Sequence, residues 1–189
     1  LKLLRVEQWV KNFFVFAPLF FSGNITNIDL LIKSLFAFAV FSLAASTVYI
    51  FNDYSAIESD KKHPEKSKRP LASGAISKPT AIVFFIGLIL LISVLIFSCA
   101  QYLQHNFWKF AAIIVFYFLM NIAYTFKLKH VAIIDVTIIA IGFVLRVLAG
   151  GYATGIYISQ WAILLTFVLA LVLAIGKRRG ELINAQISG

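Results

Sequence analysis

The feature that most constrains this chain is a succession of six apolar runs, each about as long as a membrane is thick. They occupy residues 10–28, 30–51, 79–100, 107–126, 131–150 and 156–176. A helix needs about 20 residues to cross the hydrocarbon core of a bilayer. The runs are apolar on all sides, whereas barrel strands alternate apolar and polar residues. The sequence therefore predicts an all-α, polytopic transmembrane helix bundle.

Composition supports a membrane protein and excludes a soluble globule. Hydrophobic residues make up 61% of the chain and charged residues only 13%, against roughly 25% charged residues in soluble domains. Pro18, Gly23 and Asn24 interrupt the first run, so a re-entrant or tilted helix is the alternative there. No Gly/Ser-rich or Pro-rich linker divides the chain, and we predict one domain over residues 1–189.

The distribution of cations predicts an orientation. With the N-terminus in the cytoplasm, six crossings place nearly all Lys and Arg residues on the cytoplasmic side, and only Lys33, Lys109 and Arg146 lie elsewhere. This bias is the positive-inside pattern of membrane proteins. The net charge of +9 is explained by this topology, so no nucleic-acid partner is predicted.

The segment between the second and third runs carries half of the eight acidic residues. If the second helix continues through it, Asp53 and Asp60 lie on nearly one face and about 10 Å apart along the axis. Asn52 and Asp53 are then candidate ligands for a divalent metal, and Asp60 reaches it through water or a bend, or contacts substrate instead. The alternative is that these acids only neutralise neighbouring lysines such as Lys61.

Other charged residues follow the membrane runs in patterns that favour phosphate binding. Arg69 stands beside a Pro/Gly turn, and a guanidinium fork suits phosphate oxygens. Asp135 and Arg146 share one face of the fifth helix, although Arg146 could instead snorkel to the outer interface. Lys11 is either an interfacial anchor or a phosphate contact. The two remaining inner stretches contribute Tyr124, Lys127 and Lys129, and Lys177, Arg178 and Glu181.

In combination these segments resemble the UbiA superfamily of intramembrane prenyltransferases, and most closely its bacterial decaprenyl-phosphate phosphoribosyltransferase branch. The matching stretches are residues 5–12, 52–74, 124–135, 142–146 and 176–181. Two departures from the superfamily pattern stand out. Ala56 replaces the middle aspartate of the first acidic motif, and Lys177-Arg178-Arg179-Gly180-Glu181 replaces the second aspartate-rich motif.

The resemblance implies a nine-helix bundle in the bacterial cytoplasmic membrane, with a cavity facing the cytosol; this chain would supply six helices and lack the C-terminal third. It implies a Mg²⁺-dependent transfer of a 5-phosphoribosyl group from phosphoribosyl diphosphate to a polyprenyl phosphate. The catalytic residues would be Asp53, Asp60 and Asp135, and the metal ligands Asn52, Asp53 and Asp60. Substrates would contact Lys11, Asn52, Arg69, Tyr124, Lys127, Lys129, Arg146, Lys177, Arg178 and Glu181.

Two other functions remain open from the sequence. One is a true prenyltransferase on the same fold, which would move a polyprenyl chain from its diphosphate to an aromatic or other acceptor. The other is a non-catalytic membrane subunit or transporter. The second to fourth helices carry almost no charge near the membrane midplane, where transport sites are expected, so we favour an enzyme.

Overall fold

A computed structural model describes residues 2–126 and 131–187 of the chain, and over these residues the protein is helical without a β-strand. Lys127 and Lys129 lie outside the described residues, as does the side chain of Glu181. In chain order the α-helices are α1 (Ala17–Phe21), α2 (Ile28–Ser55), α3 (Ile57–Lys61), α4 (Lys78–Ser98), α5 (Ala100–Leu103), α6 (Phe107–Phe126), α7 (Ala132–Thr154) and α8 (Gln160–Ile187). Short 3₁₀ helices lie at Lys66–Lys68 and Gln104–Asn106, and a longer one at Val6–Phe16.

The predicted fold class is confirmed, because α2, α4, α6, α7 and α8 are long and apolar enough to cross a membrane. The first apolar run takes a different form. It folds as the 3₁₀ helix Val6–Phe16 followed by the five-residue α1, and it is not among the five candidate spans. Pro18 has no backbone N–H to donate, so the ladder of an α-helix cannot run through this position. The chain then turns at Gly23, whose φ of 72° suits glycine.

Helix ends follow from local sequence. Asn27 caps α2, because its side chain accepts a hydrogen bond from the Leu30 N–H. Ser77 caps α4 in the same way, with Pro79 in the first turn. Gly155 ends α7 in the left-handed conformation, with φ of 74°. These signals place the charged segments at the ends of the membrane helices.

The core forms where α2 and α7 pack against the N-terminal 3₁₀ helix and α6. Small residues such as Ala45 and Ala149 are buried there and let the backbones approach closely. The closest approach is at Gly150, where an added Cβ would lie 1.9 Å from the carbonyl oxygen of Val15. The N-terminal segment is therefore packed directly on the backbone of α7.

The 3₁₀ geometry of the N-terminal segment matches the spacing of α2. A 3₁₀ helix has three residues per turn and rises about 2.0 Å per residue, so Trp9 and Asn12 lie on one face about 6 Å apart. Ser46 and Ser42 are four residues apart on α2, which is also about 6 Å. The Trp9 indole N–H donates to the Ser46 hydroxyl at 3.0 Å, and the Asn12 amide donates to the Ser42 hydroxyl at 2.9 Å. These two hydrogen bonds set the register of the segment.

Candidate active site

The acidic segment leaves helical geometry at Ala56, a position we call the bend, and its two buried aspartates contact one cation. Helix α2 ends at Ser55, Ala56 has φ of −108° and ψ of 7°, and α3 then begins. The Arg69 Nη1 donates to Asp60 Oδ2 at 2.6 Å and to Asp53 Oδ1 at 3.2 Å. One guanidinium therefore joins both carboxylates. The two carboxylates thus meet at one guanidinium although they are two helical turns apart along the chain.

Arg5 is a partner of Asp53 that sequence reasoning did not assign to the site. Its Nη2 donates to Asp53 Oδ1 at 2.5 Å, and its guanidinium lies 5.0 Å from the centroid of the Tyr49 ring. The two paired residues are 48 positions apart, so no local pattern connects them. The only sequence signal is the occurrence of Arg5 in the first stretch that resembles the family.

The alternative in which the acids only neutralise lysines applies to Glu58. Glu58 is exposed and pairs with Lys61 at 3.1 Å, an arrangement that contributes little to stability. Asp53 and Asp60 are buried and pair with arginines instead. Buried carboxylates that share guanidiniums form a polar centre inside the bundle, which solvated neighbours would not.

The donor set fits a magnesium ion that takes few ligands from the protein. Asp53 Oδ2 is buried and accepts no hydrogen bond from the described residues, so its lone pairs are open to a cation. No group of three or more His, Cys, Asp or Glu side chains suited to a metal occurs in the described part of the chain. Mg²⁺ commonly uses one or two carboxylates and completes its shell with water and substrate phosphates. Asn52, the third candidate ligand, accepts a hydrogen bond from the Thr125 hydroxyl.

A second polar cluster joins the ends of α6, α7 and α8. Asp135 is buried; its Oδ1 accepts from the Tyr124 hydroxyl at 2.6 Å and its Oδ2 from the Arg178 Nε at 2.7 Å. Tyr124, Asp135 and Arg178, three of the predicted site residues, thus lie together. Asp135 holds the guanidinium of Arg178, and Lys177 precedes it on the same helix.

Arg146 faces the interior of the bundle, not the outer interface. Only 6% of its surface is exposed, and α7 continues eight residues further to Thr154. Its Nε donates to Asn12 Oδ1 at 2.8 Å and its Nη1 to the Gly142 carbonyl at 2.7 Å. The rings of Phe41, Tyr117 and Phe143 surround the guanidinium at 4.9, 5.6 and 5.4 Å. The snorkelling alternative is thereby excluded.

Lys11 connects the cations of several elements. It is partly exposed, and burial of the rest, followed by the charges of Lys177, Arg146 and Arg5, lowers its pKa below the usual 10.5. A depressed lysine pKa is the expected effect of several like charges close by. Cations of the N-terminal segment, α7 and α8 are therefore close enough to influence Lys11, and one of them, Arg5, is paired with Asp53.

The bundle also contains an apolar cavity of about 760 Å³. It lies between α1, the turn after α7 and the first half of α8, and its walls include Phe14, Pro18, Ile158 and Leu165. These elements are at the end of the bundle opposite to Asp53. The cavity offers hydrocarbon surface and no charged side chain, so it is distinct from the polar site.

Comparison with known proteins identifies the family of the chain. The UbiA prenyltransferase family model matches residues 13–178. The decaprenyl-phosphate phosphoribosyltransferase of Mycobacterium tuberculosis strain H37Rv is 38% identical over 100% of this chain and 61% of its own length. The protein of the same name from Corynebacterium glutamicum is 36% identical over 100% of this chain and 56% of its own length. The chain thus spans about three fifths of the length of these curated relatives.

Among solved structures, a UbiA homolog from Archaeoglobus fulgidus bound to DMAPP and Mg²⁺ superposes with a TM-score of 0.73. The match covers 94% of this chain and 62% of the other at 21% identity, and at that identity it supports the fold alone. The sequence-family match and the identity to the curated relatives go further. This chain belongs to the UbiA prenyltransferase family.

Proposed function

We propose that this chain is the larger part of a membrane-embedded transferase that moves a 5-phosphoribosyl group from phosphoribosyl diphosphate to a polyprenyl phosphate. The observation that carries the proposal is the pair of guanidiniums, from Arg5 and Arg69, that lies against the two buried aspartates of the acidic segment. The names of the relatives from M. tuberculosis and C. glutamicum point to the same reaction. We further propose that the site opens to the cytoplasm, in agreement with the positive-inside pattern.

The donor would bind through its charged groups at the bend around Ala56. Asp53, assisted by Asp60 and Asn52, would hold Mg²⁺, which when bound neutralises the charge of the departing diphosphate. Arg69 and Arg5 already lie against these carboxylates at 2.6 and 2.5 Å. Their guanidiniums can turn to diphosphate oxygens while they stay paired, because each carries five N–H donors. The site would thus hold the leaving group from both sides.

The second anchor of the donor would be the cluster at the end of α8. Phosphoribosyl diphosphate carries a 5-phosphate in addition to its diphosphate, so it presents more anionic oxygens than one metal ion neutralises. Lys177 and Arg178 would contact these oxygens, with Arg178 oriented by Asp135. The same proposal includes Asp135 as a residue that steadies the ribosyl hydroxyls. It also includes four residues that would contact the substrates: Tyr124, Lys127, Lys129 and Glu181.

The acceptor would enter with its hydrocarbon chain against apolar helix surfaces and its phosphate toward Lys11 or Arg146. In the reaction a phosphate oxygen of the acceptor forms a bond to the anomeric carbon of the donor. The bond from that carbon to the diphosphate oxygen breaks, and diphosphate leaves with the electron pair. The attacking oxygen is already anionic, so the residues of the site need only position it and stabilise the separating charges.

A prenyltransferase activity is the second candidate, because the family model that matches residues 13–178 is that of the UbiA prenyltransferases. Membranes that contain the full-length protein should be given labelled phosphoribosyl diphosphate with polyprenyl phosphate and, separately, a labelled allylic diphosphate. We expect label in lipid only from the first donor. Label transferred only from the allylic donor would replace our proposal with the prenyltransferase.

A pair of aspartate variants tests the site itself. Asp53→Asn should abolish most transfer, because it removes one charge from the buried centre that Arg5 and Arg69 share. Asp29→Asn is the matched control, since Asp29 is exposed and pairs with Lys33 at the other end of α2. Full activity in the Asp53→Asn protein would contradict the assignment of the centre.

A further inference from the structure

Arg146 is a buried cation for which the described part of the chain provides no counter-ion. It lies about 12 Å from the end of α7, within a helix that can span a membrane. Among the described residues no carboxylate reaches ion-pair distance of its guanidinium. A buried charge without an opposite charge costs several kcal/mol after relaxation. We expect a buried charge with this cost where the charge itself serves the function of the protein.

Asn12 holds this guanidinium and leaves its charge uncompensated. Asn12 is fully buried, and both ends of its amide are engaged, with Arg146 at 2.8 Å and Ser42 at 2.9 Å. Arginine has no acceptor atom, so the amide oxygen must face Arg146 and the amide nitrogen must face Ser42. An aspartate has the same shape and would also accept from Arg146, but it would neutralise the cation.

The other contacts of Arg146 are neutral as well. Gly142 contributes a backbone carbonyl, and Phe41, Tyr117 and Phe143 contribute ring faces. Ring faces and carbonyl dipoles stabilise a cation without cancelling its charge. Lys11 is the chain neighbour of Asn12, and the positive charge of Arg146 is among the causes that lower the pKa of Lys11. The region therefore carries at least two positive charges that no described acid balances.

We infer that Asn12 is a positioning residue that fixes Arg146 as an uncompensated cation, and that the missing negative charge is a phosphate monoester bound between Arg146 and Lys11. This inference rests on the proposed function, in which two groups have that chemistry: the phosphate of the polyprenyl acceptor and the 5-phosphate of the donor. Asn12 controls affinity for that phosphate because it sets the charge of the subsite as well as the orientation of Arg146.

The decisive variant is Asn12→Asp, which keeps the acceptor for Arg146 and adds one negative charge. Ser42 can donate its own hydroxyl proton to the new carboxylate, so we expect a melting temperature in detergent equal to or above that of the parent. The Kd for the phosphate monoester should rise at least tenfold, since the carboxylate competes for Arg146. Asn27→Asp is the matched control, because it makes the same change at an exposed helix cap that Asp satisfies equally well.

Binding is measured by ligand-induced melting shifts of the full-length protein, so no turnover is required. One arm uses a short-chain polyprenyl monophosphate, and the other uses phosphoribosyl diphosphate with Mg²⁺. The arm whose Kd rises in Asn12→Asp identifies the source of the phosphate. If neither the phosphoribosyl label nor the prenyl label is transferred to lipid but the Kd in one arm still rises in Asn12→Asp, the inference stands while the proposed function fails. Unchanged Kd values in both arms would overturn it, and so would a lowered melting temperature of ligand-free Asn12→Asp.

A second variant keeps the test independent of any folding defect at position 12. Arg146→Gln removes the uncompensated charge and keeps a donor for Asn12, so the ligand-free protein should melt no lower than the parent. Its melting shift on addition of the phosphate monoester should disappear. A purely structural Arg146 would give the opposite pattern, with a lower melting temperature and an unchanged ligand shift.

Discussion

The contact between Gly150 and Val15 provides the sharpest test of how the N-terminal segment is positioned. Gly150→Ala would place a Cβ 1.9 Å from the Val15 carbonyl oxygen and 2.9 Å from its carbonyl carbon. Real Cβ atoms essentially never approach closer than 3.0 Å, so the segment must shift by about 1 Å or more. The obstructing atoms belong to the backbone, and no side-chain rotation relieves the clash.

The magnitude follows from two opposing effects. Overpacking of a tight interior costs about 1–3 kcal/mol, and a backbone clash belongs at the upper end. Alanine regains about 1 kcal/mol of helix propensity over glycine. The net loss in the free energy of unfolding is therefore about 2 kcal/mol. Because the segment also carries Arg5, Lys11 and Asn12, a displacement of about 1 Å should lower the transfer rate about 100-fold.

The assay compares Gly150→Ala with Gly87→Ala by thermal unfolding in detergent and by transfer of labelled phosphoribosyl groups in membranes. Gly87 lies in α4, and an added Cβ there meets nothing within 4 Å, so this control should keep its activity and gain up to about 1 kcal/mol. The reasoning would be refuted if the two variants melted and turned over alike, because the close approach of Val15 would then have no energetic consequence.

Three further predictions concern the charged groups. Asp135→Asn removes the charge that holds Arg178, so KM for the donor should rise about tenfold with a smaller change in kcat. A fall in kcat with an unchanged KM would contradict the role of Asp135 in orienting Arg178. The pKa of Lys11 is lowered, so the affinity of the protein for phosphate should fall as the pH rises through that pKa and the amine loses its proton. Lys11→Arg should retain its affinity at higher pH. Parallel pH profiles of the parent and Lys11→Arg would refute the role of the Lys11 charge. Ala56→Asp adds a carboxylate at the bend, so the Mg²⁺ concentration for half-maximal activity should fall about tenfold. The neutral control Ala56→Asn should not show this fall.

The polar site was predicted only in part, and the missing part consists of long-range pairs. The sequence places Asp53 and Asp60 on nearly one helix face, but only the structure shows that Arg69 contacts both carboxylates. Arg5 and Asn12 were not assigned to the site. Asn12 pairs with a residue 134 positions away. Such pairs depend on how helices pack, and periodicity within one helix contains no information about them.

The sequence by itself determined the membrane class, the positions of five spanning helices and the family, because apolar length, helix caps and charged motifs are local properties. Only the tertiary structure decided that the first apolar run is a 3₁₀ helix set against α2 and α7. It also decided that Arg146 is buried and has no counter-ion among the side chains that the structure describes. The physical reason is that a hydrogen bond between Trp9 and Ser46, or a backbone contact at Gly150, gains its free energy only after distant segments have come together.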